Sequence, residues 1–246
     1  MRTTSTIPLD NKTALVTGGA RGLGKALCEA LCEAGCRVVL VDVRADLAEA
    51  TSRALIERGH QTMHCAVDIG DERQVIDCLA AARERFGAID ILINNAGVDY
   101  TQPIDELETA QWDHVMAVNL RAPFLFCKQI VTQMKPLGGG HIVNITSTAA
   151  KRAWPNACAY HASKWALLGF SHALHAELRP HGIKVTAVVA GGMRTPFLLD
   201  RFPDIDVNTL QPPESVANAV LQVLQMPAGS VVPEISVLPM GETSWP

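Results

Sequence analysis

Short runs of aliphatic and β-branched residues alternate along the chain with longer stretches whose apolar positions recur every three or four residues. The runs at 13–17, 37–41, 61–67, 89–94, 141–146, 184–189 and 235–238 predict seven strands. Between them, the stretches 23–34, 47–58, 72–86, 112–134, 159–178 and 214–224 carry the period of amphipathic helices. The run RVVLVDV is apolar at successive positions, and therefore on both faces of its pleat, which is the pattern of a strand covered by helices on both sides. This rhythm predicts an α/β fold: a doubly wound, seven-stranded parallel sheet with helices on both faces. The irregular segment 202–213, rich in Pro and Asp, reads as a loop; the stretch 195–213 is expected to form a short lid on a single unit spanning 1–246.

Composition narrows the functional classes. A chain of 246 residues with 48% hydrophobic side chains has enough apolar surface for one large core. With 21 Lys and Arg against 25 Asp and Glu, the net charge of −4 argues against nucleic acid or an anionic membrane as partner. No run of about 18 apolar residues predicts a membrane span, and the first twelve residues lack the apolar core of a secretion signal. The seven cysteines, scattered from Cys28 to Cys158, do not make a disulfide framework and point to a reducing, cytoplasmic setting.

The first candidate chemistry is the turn TGGARGLG, Thr17 to Gly24, between the first strand and the first helix. Glycines there let main chain approach a pyrophosphate at the positive end of the helix, which makes Gly18, Gly22 and Gly24, with Arg21 and Leu23 between them, an anion site. Asp42 ends the second strand about twenty residues on, where a carboxylate would bind the adenosine ribose hydroxyls. A 2′-phosphate would meet that charge, so NAD is expected in preference to NADP, although Arg21 and Arg44 leave NADP open.

The spacing T-G-x-x-x-G-x-G resembles the short-chain dehydrogenase/reductase family, with its 3-oxoacyl-acyl-carrier-protein reductases as the type, and the resemblance runs from about residue 10 to residue 238. It implies a Rossmann domain in which Asp68 and Ile69 meet the adenine and the N-N-A-G motif Asn94, Asn95, Ala96 and Gly97 follows the fourth strand. Ser147 ends the fifth strand, thirteen residues before Tyr160 in YHASK, and Lys164 stands one helical turn further on the same face. A nearby cation and a positive nicotinamide would favour phenolate, making Tyr160 a general acid/base while the Ser147 hydroxyl holds the substrate oxygen. The resemblance adds Asn119, as the anchor of a water that relays protons to Lys164, and a nicotinamide loop in AGGMRT: Gly191, Met193 and Thr195 match, with Ala190 in place of a proline. Losing that proline is expected to loosen the turn and weaken cofactor affinity.

The substrate wall is expected from Val98, Asp99, Tyr100, residues 148–154, His161 and residues 192–197, with Asp99, Lys151 and Arg152 as solvated rim charges and a pocket open enough for bulky substrates. The expected reaction interconverts a secondary alcohol and a ketone, 3-hydroxyacyl/3-oxoacyl compounds first and polyols, steroids or aromatic alcohols behind. A non-catalytic nucleotide sensor is the rival reading; the presence of Asn119, Ser147, Tyr160 and Lys164 together opposes it. Cys28, Cys32 and Cys36 read as core fillers, His60 and His64 as ordinary histidines, Trp112 and Trp165 as packing or subunit contacts, and no metal site is expected. Val115, Met116, Val118, Leu120, Phe124, Leu125, Phe126 and Ile130 spread round the 112–134 helix, more than one sheet face can cover. A homo-oligomer is therefore expected, a dimer or a tetramer of two dimers, with the tail from 231 to 246 packed on a neighbouring subunit.

Overall fold

The computed structural model describes residues 7–242. All seven predicted strands are present and parallel: β1 (Thr13–Thr17), β2 (Arg37–Asp42), β3 (Thr62–Ala66), β4 (Ile91–Asn94), β5 (Gly140–Ser147), β6 (Ile183–Ala190) and β7 (Glu234–Val237). Their order in the sheet is β3-β2-β1-β4-β5-β6-β7. Strand order therefore reverses between β1 and β4, and a crevice opens at their carboxyl ends.

Helices α1 (Gly22–Glu33), α2 (Ala45–Glu57) and α8 (Pro213–Leu224) belong to one side of the sheet, where Leu27, Leu31, Leu40 and Val220 share a core. On the other side α3 (Glu72–Phe86), α5 (Ala122–Leu137) and α6 (Cys158–Leu178) pack around Leu15, Leu92, Phe126 and Ile130. Leu15 and Val16, adjacent on β1, enter different cores, which is why the central strands read as unbroken apolar runs.

The helix expected over 112–134 is not continuous. Helix α4 (Thr109–Met116), started by a capping box between Glu108 and Gln111, gives way to a π-helical turn at Ala117–Arg121 before α5 begins. The Ala122 N–H bonds to Ala117 O, one residue further back than in an α-helix, and the widened turn carries Asn119. Periodicity cannot reveal such a turn, because the apolar stripe continues on both sides of it.

Helix α7 (Pro196–Leu199) opens the predicted lid, and both ends of the lid are fastened: Arg194 N–H donates to Gln211 O at 2.9 Å and Gln211 N–H to Gly192 O at 3.1 Å. Cys28, Cys32 and Cys36 are buried free thiols, pushed up by burial, the last two to about 12, and the Cys36 thiol donates to Leu9 O. His64 lies on β3 as expected. Among the described residues no helix is long and apolar enough to cross a membrane. The expectations for residues 1–6 and for the tail beyond 242 fall outside the described residues.

Candidate active site

The glycine-rich turn and the N-N-A-G segment are built against each other. Gly18 has φ +66°, and a Cβ there would stand 2.9 Å from Ala96 Cα; a Cβ on Gly24 would lie 1.9 Å from Gly18 O. Only glycine lets the two loops close to this distance. The Asn95 and Ala96 N–H groups donate to Thr17 Oγ1 at 3.0 and 3.1 Å, and Asn95 Nδ2 donates to Thr17 O at 2.9 Å. Asn95 thus braces the turn. Asn94 lies deeper, donating to Asn144 Oδ1 at 2.8 Å.

Helix α1 starts at this turn with no side-chain cap bond from Arg21 and no acidic residue in its first turn. Its first amides are left for an anion, favoured by the helix dipole. Asp42 at the end of β2 accepts from Ala20 N–H at 3.1 Å and Arg44 N–H at 3.0 Å, so its carboxylate is aimed and held by main chain. Arg21 and Arg44 pair with Asp200 and Asp46 instead. Every residue assigned above to the dinucleotide lines one cavity of about 510 Å³, shared with Ser147, Tyr160 and Lys164. Bare amides, close-packed glycines and a carboxylate held by main chain at the end of β2 fit a nicotinamide dinucleotide.

Tyr160, buried at the start of α6, shares a hydrogen bond with Ser147, whose Oγ accepts from Ala149 N–H at 3.1 Å. Lys164 Nζ donates to Ile145 O at 2.9 Å and lies 5.6 Å from the Tyr160 ring centroid. A Cβ on Gly97 would sit 3.6 Å from Lys164 Nζ and 3.5 Å from Asn119 Oδ1, so this glycine keeps the ammonium's surroundings clear.

Asn119 does not line the cavity. It is fully buried behind it, its Oδ1 accepting from Val98 N–H at 2.8 Å and its Nδ2 donating to Val98 O at 2.9 Å and Ser163 Oγ at 3.0 Å. Its side chain is spent on protein groups.

Burial acts against the phenolate that the neighbouring cation and a positive nicotinamide are expected to favour. Burial pushes the Tyr160 hydroxyl up to about 12, outweighing the Ser147 hydrogen bond, and the same burial pulls the Lys164 ammonium down to about 8.

The turn after Ala190, where the proline is absent, is hydrogen-bonded within the fold. Ala190 is buried beside Ser147 in the β5–β6 register, and the turn after it is pinned by Gly191 N–H to Val237 O at 2.9 Å and Thr195 N–H to Met193 O at 2.8 Å.

The substrate side differs most from expectation. Asp99 is not a solvated rim charge: its side chain is 6% exposed and paired with Arg201 from the lid. Lys151 and Arg152 are half-buried and pair with Glu234 and Glu242. Arg201 Nε donates to Phe197 O at 2.8 Å and its guanidinium lies 4.0 Å from the Phe197 ring centroid, while Phe197 tilts against Tyr160 at 5.9 Å. His161 accepts from Trp154 N–H at 3.1 Å and bonds Ala149 O at 2.9 Å, which ties the loop after Ser147 to α6. Arg201 and His114, both cavity residues, were invisible in the sequence, because neither belongs to a motif or spacing that marks it.

This fold and site define a dinucleotide-dependent oxidoreductase. A profile described as short chain dehydrogenase matches residues 12–206, and the chain belongs to that family. It is 41% identical over 182 residues to a D-threitol dehydrogenase of Mycolicibacterium smegmatis, covering 73% of this chain and 69% of that one. The 3-ketoacyl-(acyl-carrier-protein) reductase of Brucella melitensis complexed with NADH superposes with a TM-score of 0.87 at 29% identity, over 95% of this chain and 99% of that one. A metagenomic short-chain oxidoreductase in complex with NADP superposes with a TM-score of 0.84 at 30% identity, over 95% and 99%. The protein is an NAD(P)-dependent oxidoreductase acting between alcohol and carbonyl.

Proposed function

We propose that the chain interconverts a secondary alcohol and a ketone with NAD as the preferred cofactor, using Tyr160 as proton donor and acceptor. The observation that carries this reading is the placement of Ser147, Tyr160 and Lys164 in the same cavity as the glycine-rich turn and Asp42. When bound, the nicotinamide supplies the hydride acceptor or donor. Ser147 and Tyr160, already hydrogen-bonded, together receive the substrate oxygen, and Tyr160 takes its proton during oxidation or returns it during reduction. Lys164, close to the phenol ring and fixed by Ile145 O, offsets the phenolate charge that burial disfavours. Asn119 holds the segment after β4 against α6 through Val98 and Ser163.

The NAD preference rests on Asp42, whose carboxylate is held by main chain at the end of β2 and would repel a 2′-phosphate, and on Arg21 and Arg44 being paired elsewhere. The D-threitol dehydrogenase relative and the ketoacyl reductase neighbour bring a polyol and a 3-oxoacyl group as substrate classes. We also read the chain as a homo-oligomer in a reducing cytosol. Phe124 and Trp165, 46% and 51% exposed, with Met116 and Leu120 beside Phe124 in an apolar groove, leave on α5 and α6 a surface suited to a second copy. The test of the reaction is absorbance at 340 nm with alcohols and ketones and each cofactor: no turnover with any would overturn the reading. Light scattering giving a single-chain mass of 26.4 kDa with full activity would remove the oligomer.

A further inference from the structure

One carboxylate in the cavity has a half that nothing in the protein satisfies. Asp99 follows the N-N-A-G segment by two residues, and its Oδ2 takes the Arg201 guanidinium and the Thr101 hydroxyl at 3.3 Å. Its Oδ1 is buried and accepts from no donor. A buried carboxylate oxygen is costly to leave without a hydrogen bond, so this position calls for an O–H or N–H that the chain does not provide. Arg201 cannot swing round to provide it, because its Nε is fixed on Phe197 O and its plane lies over the Phe197 ring. Asp99 lines the same cavity as Ser147 and Tyr160, and its charge is felt at both Tyr160 and Lys164.

We infer that the enzyme selects uncharged substrates carrying a second hydroxyl close to the reacting carbinol, with Asp99 accepting the hydrogen bond from that second hydroxyl. The inference rests on the alcohol–ketone reading of the same site. In the oxidation direction the reacting carbon gives its hydride to NAD and its hydroxyl proton to Tyr160; the second hydroxyl is left unchanged, and the product is a hydroxyketone. A 3-hydroxyacyl group places a carbonyl, an acceptor, where Asp99 requires a donor, and a substrate carboxylate there would face a carboxylate. The polar pair therefore moves the diol class ahead of the acyl class. A site built around such an acceptor discriminates against the analogue without the hydroxyl, since the loss leaves a buried carboxylate oxygen without a hydrogen bond.

The experiment compares matched alcohols on three skeletons: 2-butanol with 2,3-butanediol, cyclohexanol with cyclohexane-1,2-diol, and 1-phenylethanol with 1-phenylpropane-1,2-diol, with 3-hydroxybutyrate as the anionic arm. On the skeleton that fits best, the diol should exceed its mono-alcohol by at least about tenfold in kcat/KM, the scale of one hydrogen bond to a charged group. In Asp99→Ala that ratio should fall to near one, with most of the change in the KM of the diol. Asp99→Asn, which keeps the shape and one acceptor oxygen, should give an intermediate ratio and serves if the alanine protein does not fold. Arg201→Lys, which keeps a cation beside Asp99, should keep a diol preference. A wild-type ratio near one, an unchanged ratio in Asp99→Ala, or a preference for 3-hydroxybutyrate that depends on Arg201 would overturn the inference while leaving the alcohol–ketone reading intact. Failure to turn over any alcohol or the corresponding ketone would remove that reading and the inference with it.

Discussion

Around the ends of β1 and β4 the cavity wall is main chain, whereas around Asp99 and the lid it is side chains brought together from distant loops. On the first side, the fit comes from three glycines, the bare amides of α1 and an asparagine that hydrogen-bonds main-chain carbonyls. On the second side, Asp99 and Arg201, 102 positions apart, form a part-buried pair that no local pattern encodes. Main-chain walls are set by the sheet and should be rigid and indifferent to small surface changes. Walls made of side-chain pairs are where a family of one fold changes its substrates. If this division holds, variants on the two sides should separate cleanly into cofactor effects and substrate effects.

The largest effect is expected at the junction of the two sides. Tyr160→Phe removes the proton donor but keeps the ring that packs on Phe197 and lies near Lys164. Its kcat should fall at least about a hundredfold, with dinucleotide affinity nearly unchanged by fluorescence titration. Comparable kcat values for the two proteins would remove Tyr160 from the chemistry.

Next in size is a change confined to the main-chain side. In Gly24→Ala the new Cβ would overlap Gly18 O and come within 2.7 Å of Asn95 Nδ2, so the turn must open. Dinucleotide Kd should rise by at least about tenfold, the equivalent of about 1.4 kcal/mol, while the preference among alcohols stays as it was. A shift in alcohol preference would show that the two sides are not independent.

These sides also differ in how far they could be read from the chain alone. The seven strands, the glycine turn and Asp42 follow from period and spacing, and the Ser147, Tyr160 and Lys164 set from the family resemblance, because each depends on residues close in sequence or at the ends of strands whose order is fixed by the fold. The π-helical turn was not legible, since one residue of extra pitch leaves the apolar stripe intact. Asp99 was read as a rim charge because charged residues usually are; only Arg201, which arrives through the lid, makes its burial tolerable. The opposing pull of burial on Tyr160 was not legible for a related reason, as burial is a property of the finished cavity and not of the Tyr160–Lys164 spacing.

A smaller effect belongs to Asp42. Its carboxylate is held by Ala20 and Arg44 N–H groups, so Asp42→Ala loosens the turn for both dinucleotides but removes the repulsion that only NADP feels. Absolute affinity for each is therefore a poor measure, and the ratio is the informative one. The kcat/KM ratio of NAD to NADP should drop by about tenfold. A wild-type preference for NADP would show that Arg21 or Arg44 leaves its present partner to bind the phosphate.

The smallest effect is expected where the two sides touch. Arg21, at the first turn of α1, reaches Asp200 in the lid at 3.4 Å, and this contact could in principle make lid closure depend on the dinucleotide. Its side chains are 51% and 64% exposed, however. Exposed pairs of this kind are worth about 0–1 kcal/mol, because water screens the charges and ordering two long side chains offsets the attraction. Asp200→Asn should therefore change dinucleotide Kd and alcohol KM by less than about fivefold, and any change should shrink in 0.5–1 M salt, where the screening length falls to about 3–4 Å. By contrast, the Asp99–Arg201 pair is part-buried and should keep its influence at the same salt concentration. Should Asp200→Asn instead alter the two constants together by tenfold or more, independent of salt, the lid and the glycine turn would be one mechanical unit, and the division between main-chain and side-chain walls would have to give way to a coupled one.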